Sequence, residues 1–239
     1  MSGDQARTVE LLWGPGPRPS RGPKPSLSLA RIVATAIAVA DAEGLAAVSM
    51  QRIAGELDFT KMSLYRYVPG KAELAALMVD TALGAPPDLD PTGGWRPALH
   101  AWSRHLWAAF GRHPWALTAS EGARVPGPNE LGWLEAAVAA LADTGLAAAE
   151  RLDAVAVLAS HLRGLAHQTM TFTPDRPGTT ERAAGALLAE LLADRADRYP
   201  ALAAAVAGAA RGGQDDAVEF GVARILDGLG LLIAERSAG

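Results

Sequence analysis

The 239-residue sequence contains no cysteine, which excludes disulfide bonds, thiolate metal ligands and cysteine nucleophiles together. No apolar run approaches the roughly 20 residues that a membrane-spanning helix needs. Aromatic residues make up only 5% of the chain, but hydrophobic residues make up 49%, so a sizeable and mainly aliphatic core is expected. These features are typical of a globular protein in a reducing compartment, and we expect the cytoplasm.

Alternation typical of β-strands is also missing, so the expected fold class is all-α. Hydrophobic residues recur at helical spacing from residue 29 onwards, and glycine or proline separates the segments. Three regions are predicted: a flexible, Pro-rich basic arm over 1–28, a first helical domain over 29–84, and a second over 85–239. In the second domain the pattern predicts helices over 95–111, 129–143, 147–172, 180–197, 201–211 and 215–235.

The first domain has the pattern of three short helices with a tight turn between the second and the third. Ser28, Ser49 and Thr60 stand at the positions of helix N-caps, and Asp58–Phe59 forms the turn. The third helix has Leu64 and Val68 as its inward residues, four apart. This arrangement predicts a helix-turn-helix.

The stretch "TKMSLYRYVPGK" (residues 60–71) places tyrosines and cations together on the third helix. With Leu64 directed inward, Met62 and Arg66 lie nearly opposite, and an arginine can donate two hydrogen bonds to a guanine edge. A lysine at the start of the next helix, Lys71, is suited to a DNA phosphate. On these residues alone an ordinary amphipathic helix with solvated polar side chains is the alternative.

The longer stretch "VSMQRIAGELDFTKMSLYRYVPGKAEL" (residues 48–74) resembles the DNA-binding signature of the tetracycline-repressor (TetR) family of bacterial regulators. Asp58, Phe59 and Gly70 depart from the family pattern, in which glycine usually occupies the turn position of Asp58. The resemblance implies base and phosphate contacts from Ser49, Gln51, Thr60, Lys61, Met62, Ser63, Tyr65, Arg66, Tyr67 and Lys71.

The resemblance also implies a homodimeric DNA-binding regulator, most simply a repressor that a small-molecule effector releases from a palindromic operator. A helical protein–protein adaptor with a vestigial helix-turn-helix is the alternative. The net charge of −4 is distributed unevenly: residues 16–71 hold eight Lys or Arg against four Asp or Glu, so the first domain is the basic one. The arm sequence "GPGPRPSRGPKP" (residues 14–25) is either an inert tail or a segment that reaches DNA.

The second domain is implied to dimerise and to bind the effector. Hydrophobic residues of the last helix, with Gly221, Gly228 and Gly230 for close approach, are consistent with a partner helix or with burial inside one chain. Candidate effector-binding residues are Trp102, Leu106, Phe110, His161, Leu165 and Gln168; plain core packing is the alternative. The histidine spacings match no metal or catalytic motif, so we expect no enzyme activity, no metal site and no cofactor.

Overall fold

A computed structural model describes residues 3–14, 27–122, 124–170, 180–212 and 216–238. All regular secondary structure in these ranges is helical, without a β-strand, so the all-α prediction is confirmed. None of the helices in the described ranges is both long and apolar enough to cross a membrane.

Twelve α-helices are present in the described residues. They are α1 Gly3–Trp13, α2 Leu29–Glu43, α3 Met50–Glu56, α4 Lys61–Tyr65, α5 Lys71–Leu83, α6 Trp95–Arg112, α7 Trp115–Ala119, α8 Pro128–Ala140, α9 Ala148–Met170, α10 Thr180–Ala193, α11 Pro200–Gly212 and α12 Ala217–Ala238. Most bounds agree with the predicted segments to within four residues. The short helix α7 is absent from the predicted segments, because proline was expected to separate helices, whereas Pro114 stands where α7 begins, a position at which proline is well tolerated.

Helices α2 to α5 form one unit around a shared aliphatic core. Its helices begin where the sequence indicated, since the hydroxyl of Ser28 accepts from the Arg31 amide at 3.2 Å and that of Ser49 accepts from the Arg52 amide at 3.1 Å. The Arg52 guanidinium then joins α3 to α2 through two hydrogen bonds to Glu43, at 2.7 and 3.0 Å. This ion pair lowers the pKa of the Glu43 carboxyl.

The predicted arm is wrong for residues 3–13, which form α1. Leu11 and Leu12 pack against the core of the first unit, and α1 lies against α5. The indole nitrogen of Trp13 donates to the backbone oxygen of Pro126 at 3.1 Å. A helix can form here because the prolines begin only at residue 15; the Pro-rich segment 15–26 itself lies outside the described residues.

The second unit is built from α6, α8, α9 and α12, which pack around a core of aliphatic residues and tryptophan. Helices α10 and α11 pack on each other. Helix α5 of the first unit lies against both α7 and α8, so it is the main connection between the two units.

Candidate nucleic-acid interface and ligand cavity

The tight turn between α3 and α4 depends on Asp58, whose φ of 58° is in the left-handed region. Aspartate tolerates this conformation better than most residues that have a side chain, which explains how the turn forms without the usual glycine. The Phe59 amide donates to the backbone oxygen of Ala54 at 3.0 Å and closes the turn.

Helix α4 is held by its first and last turns. The Thr60 hydroxyl accepts from the Ser63 amide at 3.3 Å, and the two hydroxyls are 2.9 Å apart. Leu64 and Val68 are completely buried, as predicted. Regular helix ends at Tyr65, and it cannot continue through Val68, because the residue before a proline avoids helical backbone and Val68 precedes Pro69.

The outer face of α4 is free for contact with another molecule. Met62 is 72% exposed, and Lys61 and Arg66 are exposed beside it. The Lys61 ammonium lies 5.5 Å from the centroid of the Tyr65 ring, a cation–π contact that keeps both groups on this face. Gln51 on α3 and Lys71 at the start of α5 are exposed as well.

Two predicted contact residues also have structural roles, of which the sequence indicated only the helix cap at Ser49. The Tyr67 hydroxyl donates to the backbone oxygen of Leu27 at 3.1 Å and joins the end of α4 to the segment before α2. The Ser49 hydroxyl already accepts from the Arg52 amide as the cap of α3. Both side chains therefore position the helices, and a DNA contact would come in addition.

A cavity of about 70 Å³ lies where α5 meets the second unit. Its walls come from α5 to α7, the segment before α8, the first turn of α8, and α9. The lining residues are Val79, Ala82, Leu83, Leu106, Ala109, Phe110, His113, Ala116, Ser120, Arg124, Glu130, Ala159 and Arg163. Ligand sites with mostly apolar walls and a few polar groups have this character.

The polar groups of this cavity are held by defined partners. Arg124 donates to both carboxylate oxygens of Glu130. Arg163 donates to the Ser120 hydroxyl, and its guanidinium carbon lies 5.5 Å from the Phe110 ring centroid. Partial desolvation, followed by the Arg124 charge, lowers the pKa of Arg163, although arginine remains charged at neutral pH. Arg163 forms no ion pair with a carboxylate in the described part of the chain.

Of the six predicted effector residues, Leu106 and Phe110 line this cavity. Trp102 is buried in the core, where its indole nitrogen donates to the backbone oxygen of Trp133 at 2.9 Å. Leu165 lines a separate depression between α6, α9 and α12, and Gln168 is exposed. The structure therefore does not bring the six residues together around one space.

His161 is directed at α12. A Cβ atom on Gly221 would lie 2.0 Å from its Nε2 atom, so this glycine admits a side chain of the same chain and not a partner helix. The interpretation of Gly221 as a site of close approach between subunits is wrong for that reason. Gly230 likewise lies near Trp95, whereas nothing lies within 4 Å of the Cβ position of Gly228.

An apolar surface remains exposed on α9 and α12. Phe220 and Leu231, three helical turns apart on α12, are 67% and 70% exposed. Val157 on α9 is also exposed, and it lines a groove with Gly228 and residues of both helices. Large exposed apolar surfaces of this kind usually mark an interface.

Fold and site together define a helix-turn-helix transcriptional regulator: a capped short helix with two buried anchors presents an aromatic and basic face, and a second helical unit carries a cavity. The comparisons with known proteins agree. Residues 32–78 match the family model of "Bacterial regulatory proteins, tetR family" and residues 86–233 match that of "Tetracyclin repressor-like, C-terminal domain". The chain belongs to the TetR family of bacterial regulators.

Similar proteins are known from Streptomyces species. The chain is 42% identical over 244 residues to the HTH-type transcriptional repressor DrrR1 of Streptomyces coeruleorubidus, with 98% of this chain and 89% of DrrR1 covered. Among solved structures, apo ActR from Streptomyces coelicolor matches with a TM-score of 0.72 and 28% identity, covering 88% of this chain and 98% of ActR. ActR in complex with actinorhodin matches with a TM-score of 0.71 and 27% identity, covering 85% and 96%.

Proposed function

We propose that the protein is a homodimeric repressor of the bacterial cytoplasm that binds a palindromic operator and releases it when a small molecule binds. The observation that carries the proposal is the exposed face of α4, where Lys61, Met62 and Arg66 project from a helix anchored by Leu64 and Val68. Arginine is suited to a guanine edge, and Lys71 is suited to a phosphate.

The relatives support the two parts of this proposal. DrrR1 is named a transcriptional repressor, and ActR is known in complex with actinorhodin. Carried to this chain, these properties correspond to the α4 face and to the cavity beside α5.

The cavity suggests how an effector acts on DNA binding. At about 70 Å³ it is much smaller than the roughly 300 Å³ at which ligand pockets begin. An effector that binds in this cavity therefore has to move α5 away from α6 and α9, because Val79, Ala82 and Leu83 of α5 form one wall. Helix α4 is the recognition helix in this proposal, and α5 follows it directly. Motion of α5 therefore changes the spacing of the two recognition helices in a dimer and favours a form that no longer fits the operator.

Arg163 indicates the chemistry of the effector: a large apolar body with an acidic group that pairs with the guanidinium. With effectors found by their release of the operator, Arg163→Gln is expected to raise the effector concentration needed for half-release by at least about tenfold, since a lost charged hydrogen bond costs about 1.5–3 kcal/mol. Operator affinity stays unchanged. The matched control is Arg112→Gln, an exposed arginine of α6 that lines neither this cavity nor the depression beside Leu165. Equal potency for both variants would contradict the assignment.

The exposed surface of α9 and α12 is the proposed dimer interface. Phe220→Glu combined with Leu231→Glu is expected to yield a monomer, because four carboxylates of two subunits would be buried at one contact. Light scattering after size-exclusion chromatography measures the mass. Leu187→Glu on α10, which is 58% exposed, serves as the control and should leave the mass unchanged. A dimeric double variant would place the interface elsewhere.

Selection of bound duplexes from a random pool by the purified protein, at near-physiological salt, tests the function itself. We expect enrichment of a two-fold symmetric site with half-sites about 34–36 Å apart, and an affinity that falls steeply with salt concentration. Binding without any enriched sequence, or no binding, would contradict the proposal and favour the adaptor alternative.

A further inference from the structure

Helix α8 of the second unit has no side chain at its N-cap position, and the carboxylate of Glu130 accepts only from the amide before the helix, that of Gly127, among the backbone amides there, at 3.2 Å. Its N-cap is Gly127, so the first amides of the helix need an acceptor from elsewhere. That acceptor is Asp80 of α5: one carboxylate oxygen accepts from the amides of Asn129 and Glu130, at 2.9 and 3.1 Å. The Asn129 side-chain amide donates to the other carboxylate oxygen at 3.2 Å and to the Asp80 backbone oxygen at 2.9 Å.

The glycine at position 127 is part of this arrangement. A Cβ atom there would lie 2.2 Å from the Asp80 Cγ and from the same oxygen that accepts both amides. The φ of Gly127 is −86°, which any residue adopts, so the lack of a side chain is explained by space alone. A carboxylate of the first unit thus occupies the place that a Ser or Asp cap of α8 would fill.

Asp80 is an unusual residue in that position. It is only 6% exposed, and burial raises the pKa of its carboxyl, whereas the amides of Glu130 and Asn129 act in the opposite direction. A buried carboxylate is costly unless it is hydrogen-bonded. Removal or displacement of Asp80 leaves the backbone amides of Asn129 and Glu130 without their acceptor. The energy of this cap therefore depends on how α5 lies against α8.

Helix α5 connects this cap to the DNA-binding face. The helix begins at Lys71, soon after the end of the recognition helix α4. Asp80 lies near its other end, roughly 13–14 Å from Lys71 along the axis at 1.5 Å per residue. Glu130, whose amide is capped, also lines the cavity, together with Val79 and Ala82 of α5. A ligand that enlarges the cavity must act on the wall in which the cap lies.

We infer that Asp80 is a positioning residue for operator binding: as the N-cap of α8 supplied by α5, it holds the recognition helix in the orientation that fits DNA. This inference rests on the proposed function, because it presupposes a specific operator. Asp80 is then the residue through which occupation of the cavity is transmitted to the recognition helix. Coupling between two sites is reciprocal, so operator binding must in turn stabilise the cap.

Hydrogen exchange of the amides at the start of α8, followed in the wild type with and without the selected operator duplex, tests this reciprocity. We expect the operator to slow exchange of the Asn129 and Glu130 amides about threefold or more. Asp80→Ala should abolish this operator-dependent slowing and weaken operator binding about 3- to 30-fold, as the usual cost of a lost cap implies. Asp80→Asn keeps an oxygen acceptor and should retain most of both effects.

Val155→Ala provides the matched control for stability. Val155 is buried in the core of the second unit on α9 and lies outside the cavity lining and the cap. All proteins are measured well below their unfolding temperatures, with the active fraction fixed by stoichiometric titration. The control should lose thermal stability but keep its operator affinity and its operator-dependent slowing.

Two results would overturn the inference. One is wild-type exchange at the start of α8 that does not respond to the operator, a measurement that requires no variant to fold. The other is an operator affinity of Asp80→Ala equal to that of Val155→Ala. Failure of the proposed function is seen separately, as the absence of any enriched duplex in the selection.

Discussion

Leu64→Ala is expected to lower the free energy of unfolding of the DNA-binding unit by about 2–5 kcal/mol. Leu64 is completely buried and contributes to the core formed by α2 to α5. Helix α4 has only five residues, so it is far too short to be stable without this packing. Urea unfolding followed by circular dichroism measures the loss, and operator binding should weaken at temperatures where the unit begins to unfold.

Met62→Ala provides the comparison within the same helix. Met62 is two residues from Leu64 but 72% exposed, so its loss should change stability by no more than about 0.5 kcal/mol. Similar destabilisation by both substitutions would show that α4 is not anchored through Leu64. A reduced operator affinity in a fully stable Met62 variant would be direct evidence that the exposed face contacts DNA.

The second large effect concerns two cations, Arg66 at the end of α4 and Lys71 at the start of α5. Arg66→Ala is expected to weaken binding to the preferred operator by about 1–3 kcal/mol and to relax the preference at one base pair, because bidentate donation to guanine is lost. Lys71→Ala should weaken all duplexes alike and reduce the slope of log affinity against log salt concentration by about one.

Competition titrations with the selected operator and with single-base variants of each half-site distinguish the two roles. Unchanged base preference in the Arg66 variant would contradict its assignment to a base edge. Loss of preference in the Lys71 variant, at an unchanged salt slope, would contradict its assignment to a phosphate. Because both side chains are exposed, neither substitution is expected to alter thermal stability appreciably.

The position of α5 gives these predictions a common basis. The helix carries Lys71 at its start, lines the cavity through Val79 and Ala82, and ends near the cap that Asp80 supplies to α8. A rigid element that contacts both units at separate points transmits a displacement from one to the other. Variants at Asp80 and Arg163 therefore examine opposite ends of one mechanism, the cap and the ligand contact.

Much of the first unit followed from local sequence signals. Ser28, Ser49 and Thr60 cap their helices as predicted, because a hydroxyl reaches an amide only three residues ahead. The burial of Leu64 and Val68 followed from their helical spacing, and the tight turn at Asp58–Phe59 lies where the sequence placed it. Such signals involve neighbours in the chain, so a single sequence contains them.

The sequence by itself thus determined the helical fold, the recognition helix and the family, whereas the tertiary structure decided how the units are joined and where a ligand could bind. The Tyr67–Leu27 hydrogen bond, the fit of His161 against Gly221 and the cap of α8 by Asp80 join residues that are 40 or more positions apart. Their partners are set by the packing of whole helices, which depends on all side chains at each contact and leaves no local periodicity. For that reason the family resemblance and the pattern within single helices do not show what Gly221 and the effector residues contact, and the role of Asp80 becomes visible only in the folded chain.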